Sequence, residues 1–296
     1  MRILITGGTG LIGRSLCQYW LAQGHELYVW SRTPERVKDL CGAAVHAVAE
    51  LRELDQVKLD AVINLAGAPI ADRPWTQARR KLLRASRIDL TERLVRWMAS
   101  LPDKPAVLIS GSAVGWYGDG GEQVLTESSS VQNPDFATQL CADWEAAALA
   151  AEAFGVRVVL IRTGLVLTSK GGFLSRLLPL FRLGLGGKQG SGQQWMPWVH
   201  LDDEVALIDH VLHTVEARGP YNACAPEPVR NQAFAKALGK HVKRPAIMPA
   251  PGFALKLMLG EMAGLLLGGQ NIQPQRTQEI GFEFKYHDLK TALAAL

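Results

Sequence analysis

Three glycines near the start of the chain have the spacing of a phosphate-binding loop. Gly7, Gly10 and Gly13 follow the apolar run 2–6 directly and open a segment with apolar residues at helical spacing. Gly7 permits a tight turn, Gly10 lets the backbone approach a pyrophosphate, and Gly13 lets the helix pack on the strand. A helix that begins here offers free N–H donors and the positive end of its dipole to phosphates. The residues expected to bind a dinucleotide are Gly7, Thr9, Gly10, Leu11, Ile12 and Gly13.

The second apolar run, 26–31, distinguishes between two forms of the dinucleotide. Sites that prefer NAD place Asp or Glu about 20 residues beyond the glycines, where the carboxylate binds the ribose 2′-hydroxyl. Here the run ends in Ser31 and Arg32, and no acidic residue stands at its tip. A serine hydroxyl can hydrogen-bond a 2′-phosphate and an arginine can pair with it. We therefore expect NADP(H), with Ser31 and Arg32 at the 2′-phosphate; the alternative for Arg32 is a solvated surface arginine.

The first 165 residues alternate short apolar runs with helix-length segments, and this alternation predicts the fold class. Runs that are apolar throughout indicate strands covered by helices on both faces, so we expect an α/β, Rossmann-type doubly wound parallel sheet. After Arg162 the chain becomes rich in glycine and loops. We expect residues 1–165 to form an NADP(H)-binding Rossmann domain to which 202–224 return. Residues 166–201 and 225–296 are expected to form a smaller, interleaved C-terminal domain on the substrate side.

Composition and charge indicate which kinds of binding partner to expect for this chain. The net charge of +4 is mild and no run of five like charges occurs, so we expect no nucleic-acid partner. The four cysteines are far apart, which predicts reduced thiols in the cytoplasm without disulfides or a zinc site, and we expect no metal. The apolar segment 253–267 is interrupted by Lys256 and Glu261 and is too short to span a bilayer, so we expect no membrane partner. A core helix and the surface of a homodimer remain open alternatives for this segment.

Three further stretches complete a resemblance to a known family. They are Leu108-Ile109-Ser110-Gly111-Ser112-Ala113-Val114-Gly115-Trp116-Tyr117-Gly118, Arg162-Thr163-Gly164-Leu165-Val166 and Trp198-Val199-His200-Leu201-Asp202-Asp203. With the glycine loop, they make the chain similar to the NAD-dependent epimerase/dehydratase (extended short-chain dehydrogenase/reductase) superfamily. The tail resembles that of its atypical "epimerase family" subgroup of the YfcH type, whose substrate is not established.

The resemblance assigns roles to four further residues. It implies that Arg87 reaches the cofactor from the helix after the fourth strand, and that Val166 lines the nicotinamide end. Leu65 and Ala66, at the carboxyl edge of the fourth run, are expected to flank the adenosine ribose, because ligands bind at that edge of open α/β sheets. An exposed helix arginine is the alternative for Arg87.

The catalytic pattern of the superfamily is incomplete in this chain. Its enzymes use a Ser or Thr near the end of strand five and Tyr-x-x-x-Lys on the next helix. Ser112 matches the serine position and is our candidate catalytic residue. No tyrosine lies between Tyr117 and Tyr221, however, and no lysine lies between Lys104 and Lys170. The weaker substitutes that the sequence offers are Tyr117, Cys141 and Asp143.

Three functions remain open on this evidence. The first is an NADP(H)-dependent oxidoreductase or epimerase that acts on a small-molecule substrate of unknown identity. The second is a non-catalytic NADP(H)-binding sensor or regulatory protein, for which a retained cofactor loop without the Tyr/Lys pair is typical. The third is a scaffold with a vestigial site, which requires weak or no dinucleotide binding.

Overall fold

All 296 residues are described in the computed structural model, which contains thirteen strands. In chain order they are β1 (Arg2–Thr6), β2 (Glu26–Trp30), β3 (His46–Val48), β4 (Ala61–Asn64), β5 (Val107–Ala113), β6 (Val124–Leu125), β7 (Arg157–Thr163), β8 (Leu165–Leu167), β9 (Trp195–Met196), β10 (Trp198–His200), β11 (Gly219–Ala223), β12 (Val229–Arg230) and β13 (Asn271–Ile272).

Twelve α-helices connect and cover these strands. They are α1 (Leu11–Ala22), α2 (Val37–Cys41), α3 (Gln77–Arg84), α4 (Leu90–Ser100), α5 (Phe136–Leu149), α6 (Gly172–Arg182), α7 (Leu201–His213), α8 (Asn231–His241), α9 (Gly252–Leu259), α10 (Gly264–Leu267), α11 (Gln275–Glu279) and α12 (Leu289–Ala294). A π-helical turn, Ala85–Asp89, joins α3 to α4. No helix is long and apolar enough to cross a membrane.

Seven strands form one parallel sheet in the order β11-β7-β5-β4-β1-β2-β3. Apolar cores lie on both faces, one beneath α1 and α7 and the other beneath α4, so the strands are buried on both sides. The predicted doubly wound Rossmann-type sheet is therefore confirmed. Between β1 and β4 the strand order reverses, and in such sheets ligands bind at this switch point, outside the carboxyl ends of the strands.

A second, smaller core lies outside the sheet. It is formed mainly by α6, α8 and α12 with residues of β9 and β10, and its largest buried side chains are Trp198 and Phe234. Two-stranded pairings of β8 with β10 and of β9 with β12 connect it to the end of β7. The glycine-rich chain after Arg162 thus builds a separate apolar cluster beside the sheet edge.

The C-terminal tail returns to the main sheet. Phe282 and Phe284 lie in the same apolar core as residues of β1 and α1. The buried Glu127 carboxylate accepts hydrogen bonds from three backbone N–H groups, that of Asn222 in β11 at 3.0 Å and those of Arg276 and Thr277 in α11 at 3.1 and 3.4 Å. Strand β13 pairs with β6. These contacts, with the two phenylalanines, bind residues 271–284 to the main sheet.

The apolar segment 253–267 forms α9, a 3-10 turn and α10, and α9 is exposed. None of its residues is buried, and the Phe253, Leu257 and Met258 side chains face solvent. A core position, one of the two alternatives from the sequence, is therefore wrong for α9.

Candidate active site

The glycine loop has the tight geometry that its sequence predicts. Gly7 has a φ of +70°, and a Cβ built on it would lie 2.6 Å from the carbonyl carbon of Leu65. A Cβ on Gly13 would overlap the carbonyl oxygen of Gly7 and lie 2.7 Å from the Cα of Gly8. Both positions therefore require glycine, because the loop packs against backbone atoms of β4 and of its own first turn.

The N-terminus of α1 is open towards the switch point. Its N-cap, Gly10, has no side chain to cap the helix, and the backbone N–H groups of Leu11, Ile12 and Gly13 have no acceptor in the chain. The first turn contains no acidic residue. Free N–H donors and the positive end of the helix dipole together favour an anion at this place.

The end of β2 presents a free cation. The Ser31 N–H donates to the carbonyl of Val48, and the Ser31 hydroxyl oxygen accepts from the N–H of Thr33 at 3.1 Å. Arg32 is exposed and its guanidinium has no hydrogen-bond or ion-pair partner in the chain. The Ser31 hydroxyl also lies 3.4 Å from Thr33 Oγ1, a long contact in which either hydroxyl can donate, whereas all guanidinium donors of Arg32 are available to a ligand.

A polar network fixes the carboxyl ends of β1, β4 and β5. The Thr6 hydroxyl donates to Asn64 Oδ1 at 2.8 Å, and Asn64 Nδ2 donates to the hydroxyls of Thr91 and Ser110. The Ala66 N–H in turn donates to Thr6 Oγ1 at 3.1 Å. This network sets the path of the backbone at residues 65–66, directly against Gly7.

Arg87 lies against the loop that follows β4. Its Nη1 donates to the carbonyl oxygen of Ala68 at 2.9 Å, and its guanidinium carbon lies 5.3 Å from the centre of the Trp144 ring. Burial lowers the pKa of Arg87 from its usual value. The exposed-helix alternative for this arginine is therefore wrong, since the side chain is partly buried and fixed beside the residues expected at the ribose.

Val166 lies at the centre of β8, where it is paired with Val199 of β10 and packs against the core beneath the sheet. Gly164, two residues earlier, is as tightly enclosed as the glycine loop, because a Cβ there would lie 2.7 Å from the carbonyl oxygen of Pro197. The end of β7 and the start of β8 are thus fixed in position beside the carboxyl end of β5.

Ser112 is buried and its hydroxyl is already in use. The hydroxyl donates to Glu145 Oε1 at 2.6 Å, across from β5 to α5. Arg162 of β7 binds the same carboxylate in a bidentate ion pair, with Nε–Oε1 at 2.8 Å and Nη2–Oε2 at 2.9 Å. Both charged side chains are more than nine-tenths buried. A buried ion pair therefore faces the candidate catalytic serine.

Sequence reasoning missed Glu145 and Arg162, although one signal was present. Glu145 follows Cys141 by four residues on the helix after strand five, which is the spacing of Tyr-x-x-x-Lys. Both side chains lie on the buried face of α5, where two residues one turn apart are neighbours. Burial raises the pKa of the Cys141 thiol to about 12, so it is protonated near neutral pH.

The two other substitutes do not reach a substrate as they stand. The Tyr117 hydroxyl is buried, donates to Asn222 Oδ1 at 2.7 Å and accepts from Arg162 Nη1 at 3.1 Å. Burial raises its pKa to about 12, against the opposing effect of Arg162. Asp143 forms an ion pair with Arg84 and accepts from Gln139 on the outer side of α5. His200, in the family segment, caps α7 by accepting from the N–H of Asp202.

The fold and the open glycine loop define a dinucleotide-binding Rossmann protein, and comparison with known proteins gives its family. The family model "NAD dependent epimerase/dehydratase family" matches residues 3–224, and a domain of unknown function, DUF1731, matches 250–296. The chain belongs to the NAD-dependent epimerase/dehydratase family, as the resemblance predicted. Within that family it is of the SDR39U1 type.

Individual relatives match over nearly the full chain. A chloroplastic epimerase family protein SDR39U1 homologue of Arabidopsis thaliana is 40% identical over 100% of this chain and 86% of its own. The epimerase family protein YfhF of Bacillus subtilis is 35% identical, over 100% and 98%. The crystal structure of human SDR39U1 (isoform 2) with NADPH superposes with a TM-score of 0.89 at 33% identity, covering 100% of this chain and 98% of that one.

Proposed function

We propose that this chain binds NADP(H) at the carboxyl edge of its sheet. The observation that carries the proposal is the free, exposed Arg32 at the end of β2, on the sheet that holds the open N-terminus of α1. A human relative of the same type was crystallised with NADPH. The amides of Leu11, Ile12 and Gly13 would hold the pyrophosphate, and Ser31 and Arg32 the 2′-phosphate.

The remaining contacts of the cofactor follow from the same arrangement. Leu65 and Ala66 would flank the adenosine ribose, Arg87 would contact the cofactor from beside them, and Val166 would lie at the nicotinamide end. When bound, NADPH supplies a hydride from nicotinamide C4. A small polar or carbonyl-bearing substrate would then lie between the sheet edge and the small core, and the reaction would be that of an oxidoreductase or epimerase.

A second function, a non-catalytic NADP(H) sensor, is favoured by one specific observation. The Ser112 hydroxyl donates to Glu145, so its proton is not available to polarise a substrate carbonyl. No Tyr-x-x-x-Lys pair stands on α5 to take over that task. A sensor needs the cofactor site alone and discriminates between the two redox forms of the cofactor.

The test is a titration of the purified chain with NADPH, NADP⁺, NADH and NAD⁺, beside the variants R32A and R52A. Arg52 is an exposed arginine in another turn and serves as the matched control. We expect R32A to weaken NADPH binding about tenfold or more, the value of a charge-assisted hydrogen bond, and to leave NADH binding unchanged. No binding of any dinucleotide, or equal losses in both variants, contradicts the proposal.

Turnover separates the two functions once binding is established. An oxidoreductase oxidises NADPH in the presence of a carbonyl substrate, and an epimerase inverts a stereocentre of its substrate without net change of the cofactor. A sensor binds without turnover and holds NADPH and NADP⁺ with different affinities. A screen of compounds that is followed both at the NADPH absorbance and by the stereochemistry of the compound distinguishes these outcomes.

A further inference from the structure

Two segments of the chain carry only positive charge. Residues 170–201 and 228–260 contain ten lysines and arginines and no aspartate or glutamate. Since the whole chain has a net charge of +4, all remaining residues together carry −6. The cations are spaced too widely to form a run in the sequence. Two of them pair with carboxylates outside the segments, Arg176 with Asp72 and Arg230 with Glu122, and the fold brings several of the others together.

The fold brings the two segments together along one line of backbone hydrogen bonds. The N–H of Met248 donates to the carbonyl of Gly186, that of Ala250 to Lys188, and that of Gly190 back to Ala250. Arg244 Nε donates to the carbonyl of Arg182 at 3.2 Å. Beside this line lies an open pocket of about 540 Å³, and its wall contains four cations and no carboxylate. The four cations are Lys188, Lys236, Lys240 and Arg244.

Large apolar side chains are exposed in the same two segments. Ile247, which lines the pocket, is 74% exposed, and Leu183 is 72% exposed next to Arg182. Helix α9 follows directly after Ala250, and its Phe253 and Leu257 side chains are 78% and 87% exposed. Lys256 lies between them on the helix. We call this surface the α6–α9 face: the end of α6, the cationic pocket, residues 244–250 and α9.

We propose that the α6–α9 face docks the protein peripherally on an anionic lipid bilayer. The lysines would lie at the phosphate headgroups, and Phe253 and Leu257 would enter the boundary of the acyl chains. Exposed phenylalanine and leucine can enter the boundary of the acyl chains, while nearby lysine and arginine attract anionic lipids. The sequence alone led us to expect no membrane partner, because it shows neither a spanning segment nor a run of basic residues.

Two physical arguments favour a bilayer over another protein. A second copy of this chain would bring the same positive surface against itself, which costs free energy through like-charge repulsion. Protein interfaces are depleted in Lys, whereas this face presents Lys188, Lys236, Lys240 and Lys256. Lysine is a compact point charge on a long flexible stem, which suits a mobile headgroup layer.

The test is co-sedimentation of the full chain with two kinds of vesicle, phosphatidylcholine alone and an equimolar mixture of phosphatidylcholine and phosphatidylglycerol. The charge variant is K236Q/K240Q on α8. Its control is K38Q/K58Q, which removes two exposed lysines from the N-terminal Rossmann domain and so changes the net charge equally. The apolar variant is L257S, and its control is V215S, at an apolar position that is 72% exposed. Melting temperatures verify folding, and exposed positions should leave them unchanged.

We expect binding to the anionic vesicles only, and we expect it to decrease with salt because exposed charges are screened. Each neutralised lysine should lower the partition coefficient about fivefold, so K236Q/K240Q should lower it about 25-fold. L257S should lower it about tenfold through the lost apolar insertion. The two controls should bind as the natural chain does.

Three results would overturn the proposal. One is no binding to either kind of vesicle, and another is equal binding to both. The third is a dimer in light scattering that L257S dissociates, without vesicle binding, which assigns the face to a second copy.

Discussion

Ser112 and Glu145 share a 2.6 Å hydrogen bond in which the serine hydroxyl is the donor. The carboxylate is fixed from its other side by Arg162, so it has little freedom to release the serine. Ser112 can therefore offer a lone pair to a ligand at no cost, but it can donate a hydrogen bond only after leaving Glu145. In this chain the serine is a member of a buried charge network that spans β5, α5 and β7.

Replacing Ser112 by alanine tests how much that hydrogen bond contributes. We expect S112A to lower the free energy of unfolding by about 1–3 kcal/mol, because a buried charged acceptor loses a donor. S112T keeps a hydroxyl and should lose less. Urea denaturation followed by fluorescence gives both values, and an unchanged midpoint in S112A would mean that the hydrogen bond is not stabilising.

Breaking the buried ion pair should have a larger effect. E145Q leaves the Arg162 charge without its counterion among buried groups, and we expect a loss of about 3–5 kcal/mol in the free energy of unfolding. The matched control is E92Q, which breaks the exposed i,i+4 pair with Arg96 and should cost less than about 0.5 kcal/mol. If both variants unfold at the same denaturant concentration, the buried pair does not hold β7 against α5.

A methyl group in the glycine loop should damage both stability and cofactor binding. The Cβ of G13A would meet backbone atoms of Gly7 and Gly8, which cannot move aside as a side chain can. We expect a lower melting temperature and at least a tenfold weaker affinity for NADPH. G264A is the control, because nothing lies within 4 Å of a Cβ at that helical position. A G13A variant with natural affinity would show that the loop adapts.

Glu204 should make the stability depend on pH. It is fully buried in the first turn of α7 and accepts from the Thr163 hydroxyl at 2.7 Å, and burial raises its pKa to about 7. Because the folded pKa lies above the unfolded value, the folded chain binds the extra proton. The stabilisation that comes from binding this proton is complete below about pH 4.5 and is lost as the pH rises through about 7.

The variant E204Q carries no titrating group at this position. In the natural chain, titration of Glu204 should lower the free energy of unfolding by about 3 kcal/mol between pH 5 and pH 9. We expect E204Q to lack this decrease, so the variant should gain stability relative to the natural chain as the pH rises. Denaturant midpoints of both proteins at several pH values measure this. Parallel pH profiles for the two proteins would show that Glu204 titrates normally.

Local sequence patterns predicted the helices and strands of the Rossmann sheet well. The apolar spacing over residues 11–22 predicted a helix with the bounds that α1 has, and the apolar runs became the strands of one parallel sheet within a few residues. Strand five is the largest departure among these strands. The apolar run 106–110 predicted an end at Ser110, but β5 extends to Ala113 because Gly111, Ser112 and Ala113 pair with residues 161–163 of β7.

The contacts that the sequence did not predict join residues that are distant along the chain. Glu145 lies 33 residues from Ser112, and no local pattern indicates that the carboxylate will meet that hydroxyl. The cations of the α6–α9 face belong to two segments that only the backbone pairing of 186–190 with 248–250 places side by side. Periodicity likewise could not say whether Leu257 faces a core or solvent, since both require an apolar side chain.

The return of the tail to the sheet has a consequence for how the molecule unfolds. The two family models divide the chain at residues 224 and 250, yet Phe282 and Phe284 complete the apolar core beneath β1, and Glu127 links β11 to α11. A chain cut between the two matched regions would expose part of its main core to water and remove contacts from its edge strand β11. We therefore expect the two regions to unfold together as one cooperative unit, and a fragment of residues 1–249 to be less stable than the whole chain.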